Sequence, residues 1–164
     1  MAKKKLKRGF TNISASKSKD PTPEQLQPLI NLYGQGEIQQ ALDKTNNMLE
    51  KFPSSLALYN ICGAAHAGLG KFDAAIESYK NALKIKPDFA EAYYNMGIAL
   101  ESKGELDAAI DSYEHVLKIN PDFAAAYNNM GIALKDKGEL SAAIDSCKKA
   151  LKIKPGYAEA YYNM

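Results

Sequence analysis

The chain has 164 residues, 46% hydrophobic and 24% charged, with no tryptophan and a formal net charge of +2. This composition excludes the disordered and fibrous classes, and no apolar run approaches the roughly 20 residues that span a bilayer. The charge is unevenly placed: residues 1–19 hold seven basic residues and no acidic one, which leaves 14 basic against 19 acidic residues in the rest.

Residues 1–20 read as a basic leader. Lys3 to Arg8 starts like a secretion signal, but Thr11 to Lys19 is polar, so no apolar core follows. The run KKKLKR has the composition of a nuclear-import signal, a nucleic-acid patch or a membrane-surface contact. Phe10 has no aromatic neighbour to interleave with the lysines, which argues against single-stranded nucleic acid as a ligand. A solvated, disordered leader is the expectation.

Beyond the leader, prolines recur at Pro53, Pro87, Pro121 and Pro155, each 34 residues after the last. The 34 residues from Pro87 and the 34 from Pro121 are identical at 24 positions. Self-similarity at this period signals a stacked repeat. The expected units are 21–53, 54–87, 88–121 and 122–155, with 156–164 opening a fifth.

The first unit is degenerate. Thr22-Pro23-Glu24-Gln25 has the form of a capped helix start. Pro28 then falls inside that helix and should kink it or delay its start. In the second unit, Cys62 and His66 stand four apart, half of a metal site by spacing; without a second ligand pair they read as core residues. Cys62 and Cys147 have no redox or metal spacing, so a reducing compartment is expected.

The third unit shows the pattern most cleanly. Tyr93, Met96, Ala99 and Leu100 make a helical stripe in Ala90 to Lys103, and Gly104 ends it. Leu106, Ala109, Ile110, Tyr113, Val116 and Leu117 make a second stripe, which Pro121 stops. Gly97 and Ala109 lie on the inward faces, where bulk would force the paired helices apart. Gly63 and Gly131 match Gly97, and Ala75 and Ala143 match Ala109. His115 falls on a polar face. In the fourth unit, Cys147 stands where the others have Tyr79 and Tyr113. The fifth unit repeats the opening of a first helix through Ala158 to Met164 and then stops. Met164 matches Met96 and Met130, which should be buried, so the sequence reads as a piece of a longer protein.

The spacing Tyr93-x2-Met96-Gly97-x2-Leu100, then Ala109-x3-Tyr113, then Pro121 resembles the tetratricopeptide repeat. The resemblance covers Thr22 to the C-terminus. It implies an all-α solenoid of stacked antiparallel helix pairs in a right-handed superhelix, about four units plus the truncated fifth. It also implies that first helices line a concave surface where ligands lie. Asn95, Asn129 and Asn163 would then form a ladder along it, and Tyr94, Asn128, Tyr162 and Glu91 would flank the ladder. Glu159 adds a further negative charge. An amide both donates and accepts, so it can pair with an extended peptide backbone without reading its sequence. The ladder resembles that of O-linked N-acetylglucosamine transferase.

Chaperone-tail binding by a carboxylate clamp needs cations on these helices. The corresponding positions hold Asn60, Ala64, Asn95, Ala125 and Asn129, so such tails are not expected as partners. No catalytic constellation, cofactor site or metal site is apparent, and Gly68-Leu69-Gly70 is an inter-helix turn. The expected function is a protein–protein interaction scaffold holding an extended peptide or partner helix in the concave groove. The alternative is the substrate-recognition part of a glycosyl- or sulfotransferase-like enzyme whose catalytic domain lies beyond residue 164. Cytoplasmic residence is expected, or nuclear if the leader is an import signal. Self-association through the exposed fifth unit is a further expectation.

Overall fold

The structure is a computed structural model that describes residues 20–164; the basic leader lies outside the described residues. Among them there are nine α-helices and no strand. They run α1 (Pro23–Gly34), α2 (Ile38–Leu49), α3 (Leu56–Gly68), α4 (Phe72–Ile85), α5 (Ala90–Ser102), α6 (Leu106–Ile119), α7 (Ala124–Asp136), α8 (Leu140–Ile153) and α9 (Ala158–Asn163). None is long and apolar enough to cross a membrane.

The turn inside each complete pair is built the same way four times. Gly36, Gly70, Gly104 and Gly138 all have φ between +70° and +82°. That left-handed backbone is cheap for glycine and strained for any side chain. After α5, Gly104 N–H donates to the carbonyl of Glu101 and Glu105 N–H reaches back to that of Leu100. These are the two bonds of a Schellman motif, and they satisfy carbonyls the helix end would otherwise orphan. The second helices α4, α6 and α8 stop where the residue before proline leaves the helical region, as Lys86 does at φ −134° and ψ 95° ahead of Pro87, whereas α2 already ends at Leu49, before Pro53 is reached.

The core lies between and beneath the pairs. Tyr79 and Tyr113, 2% and 0% exposed, are its largest fully buried side chains. Each ring occupies the space left by a glycine on the preceding helix: a Cβ on Gly63 would sit 2.4 Å from Tyr79, and one on Gly97 would sit 2.5 Å from Tyr113. Gly131 faces Cys147 Sγ in the same way, at 2.8 Å.

First helices touch first helices along the array: α1 with α3, α3 with α5, α5 with α7, α7 with α9. Among the described residues no second helix packs on another second helix. A stack tight on one side and splayed on the other must curve, and its inner, concave side carries the first helices. Lys103 straps the splayed side, 2.6 Å from Asp73 of the preceding pair and 2.6 Å from Glu105. Lys137 repeats this with Asp107 and Glu139 one unit later.

Two expectations need correction. Pro28 does not delay the first helix, which starts at Pro23 and passes through Pro28. Its start is fixed by Gln25, whose side chain accepts from Thr22 N–H at 2.9 Å. The carbonyl that Pro28 leaves without a helical donor belongs to Glu24, on the exposed side where water can reach it. The methionines are not buried either. Met96 and Met130 are half-buried, because Met96 lies on the floor of an open recess, and Met164 is 49% exposed.

Candidate partner-binding face

Helical geometry divides α5 into three faces, at about 100° per residue. Gly97 faces α6, since its missing Cβ is filled by Tyr113. Met96 and Leu100 face the splayed side, where they line a recess between α4 and α6. Ile98 and Glu91 lie opposite that recess, on the concave side. The same periodicity places Asn95 toward the preceding pair and Tyr94 toward the following one.

This sideways placement decides what the asparagines do. Asn95 Nδ2 donates to Asn60 Oδ1 at 2.9 Å. Asn129 Nδ2 donates to the Tyr94 hydroxyl at 3.2 Å, and Asn163 Nδ2 to Asn128 Oδ1 at 3.0 Å. Every donor lies 35 residues after its acceptor, one repeat plus one position. Each of the three asparagines thus makes a bond across a junction between neighbouring units. Their side chains remain half-buried, with part of each amide at the surface.

The flanking residues differ among themselves. Tyr94 is half-buried, its ring tilted against Phe123 at 5.0 Å between centroids. Burial first, and then the neighbouring Tyr157, push its phenol above the ordinary range, so the hydroxyl that meets Asn129 is neutral. Asn128 is 4% exposed; it holds Asn163 from behind and also donates to Asn129 Oδ1 at 3.3 Å. Tyr162 is 91% exposed, and Glu91 is exposed on the first turn of α5.

A stripe that the sequence reading passed over runs beside the ladder. Ile30, Ala64, Ile98 and Ile132 recur every 34 residues, three positions after each asparagine slot. Ile30 is 52% exposed and Ile98 is 38% exposed. The period was in plain view, but apolar residues in a helix read as core until the concave direction is known. Glu101 borders this stripe. It accepts from the Tyr113 hydroxyl at 2.9 Å, and burial raises its pKa.

The recess on the splayed side has a volume of about 570 Å³ and is lined by Ile76, Lys80, Met96, Leu100, Asp111 and His115, among others. His115 is exposed there and stacks on Tyr93 at 4.7 Å. One unit later Lys149 takes the place of His115 and lies 5.6 Å from the Tyr127 ring.

Cys62 and Cys147 are buried thiols with no disulfide, and burial raises the pKa of both, which opposes thiolate chemistry. Cys62 lies 3.6 Å from both Asn46 Oδ1 and Ser78 Oγ. His66 is half-buried and its Nδ1 has no partner. Burial first, then Lys71, lower its pKa. Among the described residues no group of three His, Cys, Asp or Glu side chains could hold a metal ion.

The tetratricopeptide-repeat profile matches residues 90–123 and 124–157, and a further TPR-repeat profile matches residues 63–104. The crystal structure of MamA protein is 30% identical, with 82% of this chain and 74% of that one covered at a TM-score of 0.73. PilF of Pseudomonas aeruginosa is 18% identical, with 86% and 64% covered at a TM-score of 0.79. Cut9 in the Cut9–Hcn1 assembly of APC/C is similar at 22% identity, with 85% of this chain and 28% of that one covered at a TM-score of 0.77. At those last two identities the likeness concerns the fold. Curated protein sequences give no match.

Proposed function

The chain belongs to the tetratricopeptide-repeat family, whose solenoids serve as protein-interaction scaffolds, and from that premise we propose that it holds an extended peptide or a partner helix against its concave face. The observation that carries the proposal is the recurring apolar stripe beside the asparagine ladder, exposed at Ile30 and Ile98 and half-buried at Ala64 and Ile132. A large apolar side chain left open on the inner side of a curved array is surface that a partner would cover. In this reading the ladder amides contribute their exposed atoms to a peptide backbone, while their Nδ2 groups keep the units in register. Tyr94, Tyr162 and Glu91 supply flanking contacts, and Asn128 acts from behind through Asn163 and Asn129.

Acidic chaperone tails fit poorly, because cations are scarce on this face. Nucleic acid is disfavoured for the same reason. Self-association through α9, where Tyr161 and Tyr162 are exposed, is a weaker reading that light scattering across a concentration series would expose. The transferase reading rests on the position of the ladder asparagines; a sugar-nucleotide or sulfonate-donor domain encoded after residue 164 would support it.

A peptide-display selection on the full chain tests the main proposal. Selected peptides should lose binding on the order of tenfold or more with Ile98→Asp, and keep it with Lys80→Ala and Asp111→Asn in the splayed-side recess. The reverse pattern would move the site to that recess and defeat the concave reading.

A further inference from the structure

We infer that the concave face selects a basic, amphipathic peptide in extended conformation, with its apolar side chains on the Ile98 stripe and its cations toward Glu91, Glu101 and Asp136. This rests on the reading that the concave face is the binding site. Charge is sorted between the two rows of helices. The first helices, α1, α3, α5, α7 and α9, carry Glu24, Glu91, Glu101, Asp136 and Glu159 against the single cation Lys135. The second helices, α2, α4, α6 and α8, carry seven acidic and seven basic residues. The chain is therefore close to neutral on its splayed side and acidic on its inner side.

Pairing follows the same division. On the splayed side Asp73, Glu105, Asp107 and Glu139 each meet a lysine. Among the described residues neither Glu91, Glu101 nor Asp136 forms an ion pair. Glu101 is half-buried with the Tyr113 hydroxyl as its hydrogen-bond donor. A partly desolvated carboxylate beside a second one is an expensive arrangement, and a bound cation relieves it. Exposed Ile98 between these carboxylates adds the apolar half of the match. An extended peptide whose leucines lie on the stripe can reach the carboxylates on either side with its lysines, because their long flexible stems run along apolar surface and carry the charge outward.

The test is fluorescence anisotropy on the full chain with three labelled peptides of equal length: alternating Lys-Leu, Gln-Leu and Glu-Leu. The Lys-Leu peptide should bind tightest, the Gln-Leu peptide roughly tenfold weaker, a difference of about 1.4 kcal/mol, and the Glu-Leu peptide weaker still. The variant Glu91→Gln/Glu101→Gln/Asp136→Asn should erase the Lys-Leu advantage and bring the Lys-Leu and Gln-Leu affinities together. Neutralising Asp43, Asp111 and Asp145 on the second helices should leave Lys-Leu binding intact. If the triple variant loses its helical circular dichroism, Glu91→Gln alone, on an exposed first turn, should still weaken Lys-Leu binding and flatten its salt dependence. Equal affinity for Lys-Leu and Gln-Leu peptides would overturn the inference and leave the concave site standing. Lys-Leu binding that responds to the second-helix variant instead would overturn it too. Absence of binding by any peptide, or binding indifferent to Ile98→Asp, would bring down the concave reading and this inference together.

Discussion

Gly97 and Tyr113 form one packing unit, and the ring takes the volume that any side chain at 97 would need. A Cβ there would approach the ring to 2.5 Å, so Gly97→Ala must displace Tyr113 and strain its bond to Glu101. The expected cost is about 1–3 kcal/mol despite the gain in helix propensity, read as a lower urea midpoint by circular dichroism. His66 supplies the opposite case. Its counterpart one unit later is Leu100, and its Nδ1 is buried without a partner. The folded state holds its pKa below the ordinary 6.5, so the unfolded chain takes up the proton first as pH falls. Stability is therefore lost as pH drops through that ordinary value and below it. His66→Leu should remove this acid sensitivity and raise the melting temperature, more at pH 5 than at pH 8. A wild-type chain whose stability between those two pH values matches that of the leucine variant would contradict the assignment.

At the scale of elements, the rungs between units are the feature to test. Asn129 Nδ2 and the Tyr94 hydroxyl are 3.2 Å apart across the α5–α7 contact. Asn129→Ala and Tyr94→Phe should each cost about 0.5–1.5 kcal/mol. The double variant should cost less than the sum, since both remove the same bond; strictly additive unfolding free energies would contradict the rung. The sequence made the helices legible and left the rungs hidden, for a physical reason. Periodicity, Gly104 and Pro121 are local signals, each set by backbone sterics within a few residues. The asparagine ladder was equally visible as a 34-residue recurrence. What it bonds to depends on the rotation of one helix pair relative to the next, which no single unit encodes. Thus Asn128, expected from the pattern to flank the ladder as contact surface, is buried. The delayed start expected from Pro28 fails because Thr22 and Gln25 already fix the beginning of α1 at Pro23.

For the whole molecule, contacts run between neighbouring helices and between successive first helices, so stability is close to a sum of unit and interface terms. Hydrogen exchange should be slowest in α3 to α6, whose two pairs each have a complete pair on both sides, and fastest in α1 and α9. Uniform protection from α1 to α9 would instead indicate a single all-or-none core. The same architecture separates an acidic inner row from a balanced outer row, and it leaves two candidate surfaces for a partner: the Ile98 stripe and the recess at Asp111. Photo-crosslinking decides between them. Benzoylphenylalanine placed at position 98, and in a second protein at position 111, is irradiated with a display-selected peptide and the products are mapped by mass spectrometry. Capture is expected from position 98 and none from position 111. Capture from position 111 without capture from 98 would contradict the concave reading.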